Sequence, residues 1–235
     1  MKVILTGCNG QLGNAIAKNL KSKGLVLLGI DIDPECANDN INEYYSLDIT
    51  CEIEVERFWQ KTSNVHGLVN NAGIGVFTES LKRTKLDFMK VLEVNLWGTF
   101  NMIKGYVNNR ENQVSRRVVN IASLYGHISS DFRIYGESGR NNSEVYTASK
   151  AGVIGLTKYC AINYLPLGFQ INSVSPGGIR RNQSSDFQVN YSSKQPYGRL
   201  ADANEIADVI KWVVLDSPKY LNGEDILVDY GFSKS

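Results

Sequence analysis

Histidine is almost missing from this chain. There are only two, His66 and His127, and neither lies near any of the four cysteines at 8, 36, 51 and 160. No CxxC pair occurs, so the spacing implies neither a zinc site nor a disulfide framework, and no metal is expected. An excess of charge is missing as well. Twenty-five basic and 24 acidic side chains leave a formal charge of +1, which creates no field to gather a phosphate backbone or an anionic membrane surface. Nucleic acid and membrane are therefore not indicated as partners. No run of about 18 apolar residues is present. The chain enters a strand-like run at Lys2 to Thr6 without a basic region, an apolar stretch and a cleavage site before it. The expected location is the cytoplasm, where the N-x-S triplets at Asn141, Asn182 and Asn190 have no glycosylation role. No internal repeat, low-complexity tract or interdomain linker is visible.

What is present is enough apolar material for one sizeable core. Hydrophobic residues make up 43% of the 235, which leaves no room for a large second domain, so a single domain spanning 1–235 is expected. Val3-Ile4-Leu5 is followed by Gly7, Gly10 and Gly13 and then by apolar residues at helical spacing, which reads as strand, tight turn and helix. Leu25 to Ile30 is a second run, continuous rather than alternating, as suits a parallel strand covered on both faces. The alternation continues through strands at Tyr44 to Leu47, Gly67 to Asn70, Val118 to Ile121, Phe169 to Val174 and Ile226 to Val228. Helices are predicted at Glu52 to Lys61, about 86–109, Tyr146 to Leu165 and about 203–214. This order predicts an α/β fold: a doubly wound, mostly parallel seven-stranded sheet with helices on both faces and function in the loops after the strands. Two stretches without periodicity, about 124–145 and 179–199, are long enough to be substrate loops.

Thr6-Gly7-Cys8-Asn9-Gly10-Gln11-Leu12-Gly13 places glycines where backbone must turn tightly, approach a pyrophosphate and pack a helix start against a strand. Asp31 ends the second strand. A carboxylate there can accept hydrogen bonds from adenosine ribose hydroxyls and repel a 2′-phosphate, with Asp33 nearby. NAD is favoured over NADP, since no Arg or Lys follows to reverse the preference. Tyr146 and Lys150 lie four apart on a predicted helix, so their side chains share one face. A tyrosine hydroxyl, with a pKa of about 10, is a poor base unless a nearby cation favours the phenolate. Lys150 can supply that cation, and Ser123, at the sheet's carboxyl edge, can donate to a developing alkoxide.

Taken together with Asp48-Ile49-Thr50, Asn70-Asn71-Ala72-Gly73, Val94-Asn95-Leu96-Trp97-Gly98 and Ser175-Pro176-Gly177-Gly178, these stretches resemble the short-chain dehydrogenase/reductase family over essentially the whole chain. The resemblance implies a Rossmann-like domain in which Tyr146 is the general acid/base, Ser123 polarises the carbonyl, Lys150 binds the nicotinamide ribose, and Asn95 holds a proton-relay water. It places the cofactor against Gly7, Asn9, Gly10, Gln11, Leu12, Gly13 and Asp31. It adds Asp48 and Ile49 flanking the adenine, Asn71, Ala72 and Gly73 along the cofactor, and Pro176, Gly177, Gly178 and Ile179 at the nicotinamide amide. Asn70 reads as a sheet-stabilising residue. A homo-oligomer, tetramer or dimer, is implied through the helices carrying Asn95 and Tyr146.

Two positions depart from the family pattern. Gln11 stands where the usual TGxxxGxG turn has its middle glycine, and Asp229-Tyr230-Gly231 stands where many relatives have Asp-Gly-Gly. The segment Asp131-Phe132-Arg133-Ile134-Tyr135 and the residues after Gly178 further resemble dehydrogenases of flagellin-modification and nonulosonate-sugar gene sets. With Arg133, Arg180, Arg181 and Arg199 in predicted loops at the active-site edge, the expectation is NAD-linked oxidation of a secondary alcohol on a sugar or sugar phosphate. The alternatives are a 3-oxoacyl-(acyl-carrier-protein) reductase, normally NADPH-linked, and a non-catalytic dinucleotide-binding scaffold.

Overall fold

The computed structural model describes residues 1–110, 116–138 and 140–234. Seven strands, β1 (Lys2–Thr6), β2 (Val26–Asp31), β3 (Glu43–Ser46), β4 (Val65–Asn70), β5 (Arg116–Ile121), β6 (Phe169–Pro176) and β7 (Asp225–Val228), form one sheet in the order β3-β2-β1-β4-β5-β6-β7. Every neighbouring pair is parallel. Successive side chains on each strand point to opposite faces, so the continuous apolar runs feed two cores. Ile4, Leu28, Leu68 and Val118 meet α2 (Glu52–Gln60), α4 (Thr99–Asn108) and α5 (Glu144–Asn163). Val3, Leu27, Val69 and Val119 meet α1 (Gln11–Lys21) and α7 (Ala203–Leu215).

Strand order reverses between β1 and β4, and the crevice beyond their carboxyl ends is where such sheets take ligands. The two strand ends are laced together there. Thr6 Oγ1 accepts from the backbone N–H groups of Asn71 and Ala72, each at 3.0 Å. Asn71 Nδ2 returns bonds to the carbonyls of Thr6 at 3.1 Å and Gly7 at 2.9 Å.

Three features differ from the sequence reading. The helix over about 86–109 is α3 (Lys85–Leu92) and α4 joined by a π-helical turn, Glu93–Gly98, which contains Asn95. The polar stretch after 179 contains a further helix, α6 (Ser185–Lys194). The two unpatterned segments, of which residue 139 lies outside the described residues, also pack together. Ile134, Tyr135, Tyr191 and Leu200 form a small core with Phe187 and Phe232 against it. Asp131 ties that core's edge by pairing with both Arg133 and Lys194. Among the described residues no helix is long and apolar enough to cross a membrane.

Candidate active site

The glycine turn is built from close contacts. Gly7 has φ +65°, and a Cβ on it would stand 2.8 Å from Ala72 Cα; a Cβ on Gly13 would stand 2.1 Å from the Gly7 carbonyl oxygen. Both positions exclude side chains, one through backbone conformation and both through space. Gly10 is the N-cap of α1 and brings no capping side chain, and no acidic residue follows in the first turn. The first-turn amides are thus presented to the crevice, a ready seat for an anion. Gln11 lines the same cavity, and its Nε2 reaches across to donate to the Arg180 carbonyl at 2.6 Å.

A cavity of about 670 Å³ runs from this turn past Ile30, Asp31, Asp33, Asp48 and Ile49 on one side and Asn71, Ala72 and Gly73 on the other. Asp31 Oδ2 accepts from the Asn9 N–H at 3.0 Å and Oδ1 from the Ile32 N–H at 2.9 Å. A carboxylate has about four lone-pair sites, so capacity remains for two ribose hydroxyls. Asn9 fixes the loop beneath, donating to Asp33 at 3.2 Å and to the Glu35 carbonyl at 2.9 Å while accepting from Ala37 at 2.9 Å. Asp48 holds its turn by accepting from the N–H and hydroxyl of Thr50, both at 2.8 Å. Phosphate seat, ribose carboxylate and aliphatic adenine walls together fit a nicotinamide dinucleotide.

A second cavity, of about 410 Å³, holds Ser123, Tyr146 and Lys150 together with Pro176, Gly177 and Gly178. Leu12, Asn71, Gly73, Ile74, Ile179 and Arg181 line both cavities, which makes the two spaces one continuous cleft. Tyr146 and Lys150 are presented by α5, whose N-cap is Ser143, with Oγ accepting from the Tyr146 N–H. A buried polar chain sets the helix on the sheet. Asn70 Nδ2 donates to Asn120 Oδ1 and Asn120 Nδ2 to Thr157 Oγ1, both at 2.9 Å. The sheet-stabilising reading of Asn70 fits this chain.

Lys150 is 4% exposed. Its Nζ donates to the Ile121 carbonyl at 2.7 Å and lies 5.7 Å from the Tyr146 ring centroid. Burial pulls the ammonium down from its ordinary 10.5 to about 8. Burial also pushes the Tyr146 phenol above its ordinary value, opposed by a hydrogen bond from Ser123. With its titration pushed above the ordinary value, the protonated phenol is the resting form near neutrality. Asn95, fully buried, uses its whole side chain as a clamp. Nδ2 donates to the Ile74 carbonyl at 2.9 Å and to Ser149 Oγ at 3.0 Å, and Oδ1 accepts from the Ile74 N–H at 2.8 Å. It thereby fixes the strand of backbone at Gly73, where an added Cβ would be 3.3 Å from Asn95 Oδ1 and 3.4 Å from Lys150 Nζ.

Of the four arginines expected at the rim, only Arg181 lines the cleft. Arg133 is paired with Asp131, Arg199 with Glu205 and Arg180 with Asp202. These partners draw three of the guanidiniums into loop structure. Sequence reasoning missed Tyr125, Tyr135 and Asn142, which line the inner cavity. It missed Lys90 and Val94, which line the outer one. The i, i+4 spacing of Lys90 and Val94 carries a signal once their helix is known to face the sheet's carboxyl edge. The other three lie in segments without periodicity and carry none.

Comparison with known proteins adds to this geometry. The family model for enoyl-(acyl carrier protein) reductase matches residues 9–233. The chain is 30% identical over 234 residues to the 3-oxoacyl-[acyl-carrier-protein] reductase FabG of Aquifex aeolicus, covering 97% of this chain and 86% of that protein. Among solved structures, a short chain dehydrogenase from Leptospira borgpetersenii serovar Hardjo-bovis with bound NAD+ superposes with a TM-score of 0.90 at 33% identity, covering 99% of this chain and 92% of that one. ElxO with NADP bound, at 24% identity, 100% and 99% coverage and a TM-score of 0.83, shares the fold.

Proposed function

The chain belongs to the short-chain dehydrogenase/reductase family and is an NAD(P)-dependent oxidoreductase acting on CH–OH groups, and we propose that it interconverts a ketone and a secondary alcohol with NAD(H), Tyr146 moving the proton. The observation that carries this reading is the continuity of the two cavities, which sets Ser123, Tyr146 and Lys150 at the inner end of the dinucleotide groove. When bound, the dinucleotide supplies or takes the hydride. The protein's share is to hold the carbonyl oxygen between the Ser123 and Tyr146 hydroxyls and, in reduction, to pass the Tyr146 proton to the oxygen as negative charge develops there. The phenolate left behind is stabilised by the hydrogen bond from Ser123 and by the Lys150 ammonium on the same helix face. Alcohol oxidation runs the same steps backward and needs the phenol deprotonated first.

The preference for NAD rests on Asp31. Its carboxylate is held in place by two backbone amides with capacity to spare, and a 2′-phosphate there would meet like charge at close range. The Leptospira structure with NAD+ is consistent with this.

For the substrate, the relatives favour a 3-oxoacyl thioester, the class named for the Aquifex protein. A second reading, a sugar or other polyhydroxylated ketone, is favoured by the hydroxyl and amide groups of Tyr125, Tyr135 and Asn142 in the inner cavity. The narrower likeness to flagellin-modification and nonulosonate-sugar dehydrogenases finds no support among these relatives, and no pathway is proposed. We also read the apolar groove formed by Met89, Leu92, Leu96, Trp97, Phe100 and Leu156 as the face through which copies of the chain associate.

The test is nucleotide binding and turnover. NADH should bind at least tenfold tighter than NADPH, and Asp31→Ala should lose most of that difference. NADH oxidation should appear with acetoacetyl thioesters or with a sugar panel. Equal NADPH binding would remove the Asp31 argument, and no hydride transfer to either substrate class would refute the catalytic reading.

A further inference from the structure

A charged group repels its like and holds its opposite at close range, so the signs of the side chains around each cavity restrict what can enter it. The outer cavity is mixed: Asp31, Asp33 and Asp48 line it together with Lys90 and Arg181. The inner cavity is not. Its charged lining is Lys150 and Arg181, with no Asp or Glu among the described residues. Lys150 is buried and its Nζ is engaged by the Ile121 carbonyl, which leaves the cavity mouth to arginine. The arginines of the surrounding loops divide by whether a carboxylate already holds them. Arg83 is paired with Glu144, Arg133 with Asp131, Arg180 with Asp202 and Arg199 with Glu205. Arg140 and Arg181 have no carboxylate partner among the described residues.

Both residues are exposed, yet their backbone is pinned. At Arg181, the preceding Arg180 N–H donates to the Ala201 carbonyl at 2.8 Å, the Arg180 carbonyl accepts from Gln11 Nε2 at 2.6 Å, and the Arg181 N–H donates to Gln183 Oε1 at 2.6 Å. After Arg140, the Asn141 N–H donates to the Phe77 carbonyl at 3.0 Å, and the Asn141 carbonyl accepts from Arg83 Nη2 at 3.0 Å. Arg140 Cζ lies 4.6 Å from the centroid of the Phe77 ring. That ring is 39% exposed and belongs to the inner cavity wall. Burial pushes the phenol of Tyr135, in the same wall, up to about 12, and the Arg140 charge acts against the rise. A guanidinium seated on Phe77 and within electrostatic reach of Tyr135 stands where the cavity opens. Held loops keep the ordering cost of using these two side chains low.

Taking the hydride-transfer reading above as given, we propose that Arg140 and Arg181 are specificity-determining residues that hold a phosphate carried by the substrate away from its reacting carbon. The substrate class is then a ketone or secondary alcohol with a phosphate arm. Two guanidiniums suit that group. A phosphate monoester carries about −1.5 to −2 charge at neutral pH and three strong acceptor oxygens, and the planar fork of arginine meets such oxygens two at a time. One cation would leave much of that charge uncompensated. Two sources share this chemistry: the 4′-phosphopantetheine arm of a 3-oxoacyl thioester and the phosphate of a sugar phosphate.

The experiment compares substrate pairs that differ only in the phosphate: acetoacetyl-4′-phosphopantetheine against acetoacetyl-pantetheine with NADH, and hexose 6-phosphates against the free hexoses with NAD+. In one pair the wild type should favour the phosphorylated member in kcat/KM by at least about 30-fold, and that pair identifies the source of the phosphate. Arg140→Gln and Arg181→Gln should each cut the ratio by roughly 5- to 10-fold, the effect of one charged hydrogen-bonding group discounted for screening at an exposed rim. Both variants remove exposed side chains and should keep the wild-type Tm to within about 2 °C. A ratio near one in both wild-type pairs, or a ratio that either variant leaves unchanged, would overturn the proposal. NADH fluorescence tests the rival use of Arg181: weaker NADH binding in Arg181→Gln with the ratio preserved would assign that guanidinium to the dinucleotide's own phosphates and overturn the pair. Calorimetric titration of 4′-phosphopantetheine and of glucose 6-phosphate into the protein–NADH complex needs no turnover. If the wild type binds one of them, with affinity reduced in both variants, but transfers no hydride, the catalytic reading fails and the phosphate site stands. If it binds neither, the phosphate site fails, and turnover of the plain substrates still decides the catalytic reading.

Discussion

The amine of Lys150 should cost the folded protein stability, and the cost should depend on pH in a defined way. Its folded-state pKa of about 8 lies below the ordinary 10.5 because burial disfavours the charged form, and a displacement of that size corresponds to about 3 kcal/mol. The sign follows from proton counting. Between pH 8 and 10.5 the unfolded chain binds the proton that the folded chain has released, so folding grows more favourable as pH rises through that window. Below about 8 the penalty is complete and constant; above about 10.5 it is gone. Lys150→Met keeps the buried stem and removes the amine, so the difference in unfolding free energy between wild type and variant isolates this group. Loss of the bond to the Ile121 carbonyl shifts that difference by a nearly constant amount, since a neutral amine still donates, and leaves its slope intact. Urea unfolding of the nucleotide-free proteins at fixed chain concentration should show wild type gaining about 2 kcal/mol on the variant between about pH 7 and about pH 9.5. A difference constant to within about 0.5 kcal/mol over that range would refute the assignment of a desolvated ammonium.

Three further outcomes are expected. Tyr146→Phe should bind NADH as wild type does while kcat falls by about 10²–10⁴, the usual contribution of a positioned proton donor; single-turnover kinetics checks it, and a loss under tenfold would remove Tyr146 from the proton path. Gly13→Ala places a methyl against the Gly7 carbonyl at 2.1 Å, backbone on both sides, whereas Gly10→Ala meets its nearest atom at 3.3 Å. The first should cost about 1–3 kcal/mol or more and the second under about 1 kcal/mol in urea unfolding, and equal costs would contradict the packing described for the turn. Met89, 41% exposed at the rim of the apolar groove, should tolerate Glu in the folded monomer while weakening self-association by at least tenfold; sedimentation velocity checks this, and an unchanged distribution would move the association face elsewhere.

Much of the fold was legible because it is carried by local pattern. Continuous apolar runs at 3–5 and 25–30 suit strands covered on both faces, the mixed stretches at 67–70, 118–121 and 169–174 took their place in the strand–helix alternation, and the glycine spacing marked the first crossover. The capping box at the start of α7, in which the Asp202 and Glu205 side chains each bond the other's backbone N–H, is likewise written in residues three apart. What was not legible depends on distant partners. α6 has a weak apolar stripe and is held mainly by Tyr191, whose ring stacks on Phe232 at 4.7 Å and whose hydroxyl accepts from the Gly178 N–H at 2.6 Å. No local periodicity reports contacts of that kind. The π turn at Asn95 changes a hydrogen-bond register without changing the apolar count, so the residues either side read as one helix. In the site, Tyr146, Lys150 and Ser123 could be found because their chemistry fixes both residue type and spacing. Asn142 could not, since an asparagine before a helix is ordinarily a turn residue, and its place in the cavity wall depends on tertiary packing.

The two departures from the family pattern are absorbed by the same part of the molecule. Gln11 lines the groove, and the bond to the Arg180 carbonyl carries its side chain across to the backbone that follows β6. Tyr230 sits at φ +56°, a conformation that costs a non-glycine residue roughly 1–2 kcal/mol. Its ring stacks on Tyr197 at a centroid distance of 4.1 Å, which returns about 0.5–1.5 kcal/mol. The preceding Asp229 fixes the turn by accepting from the N–H groups of Gly231 at 2.9 Å and Ser233 at 2.8 Å, while its carbonyl accepts from Gln195 Nε2 at 3.0 Å. Arg180, Gln195 and Tyr197 all belong to the 179–199 segment, which lines the inner cavity through Ile179, Arg181 and Gln183. Both unusual side chains thus serve to fasten that segment, one to the dinucleotide turn and the other to the end of the chain. This explains how a stretch with so little apolar pattern takes up a definite path over the cleft.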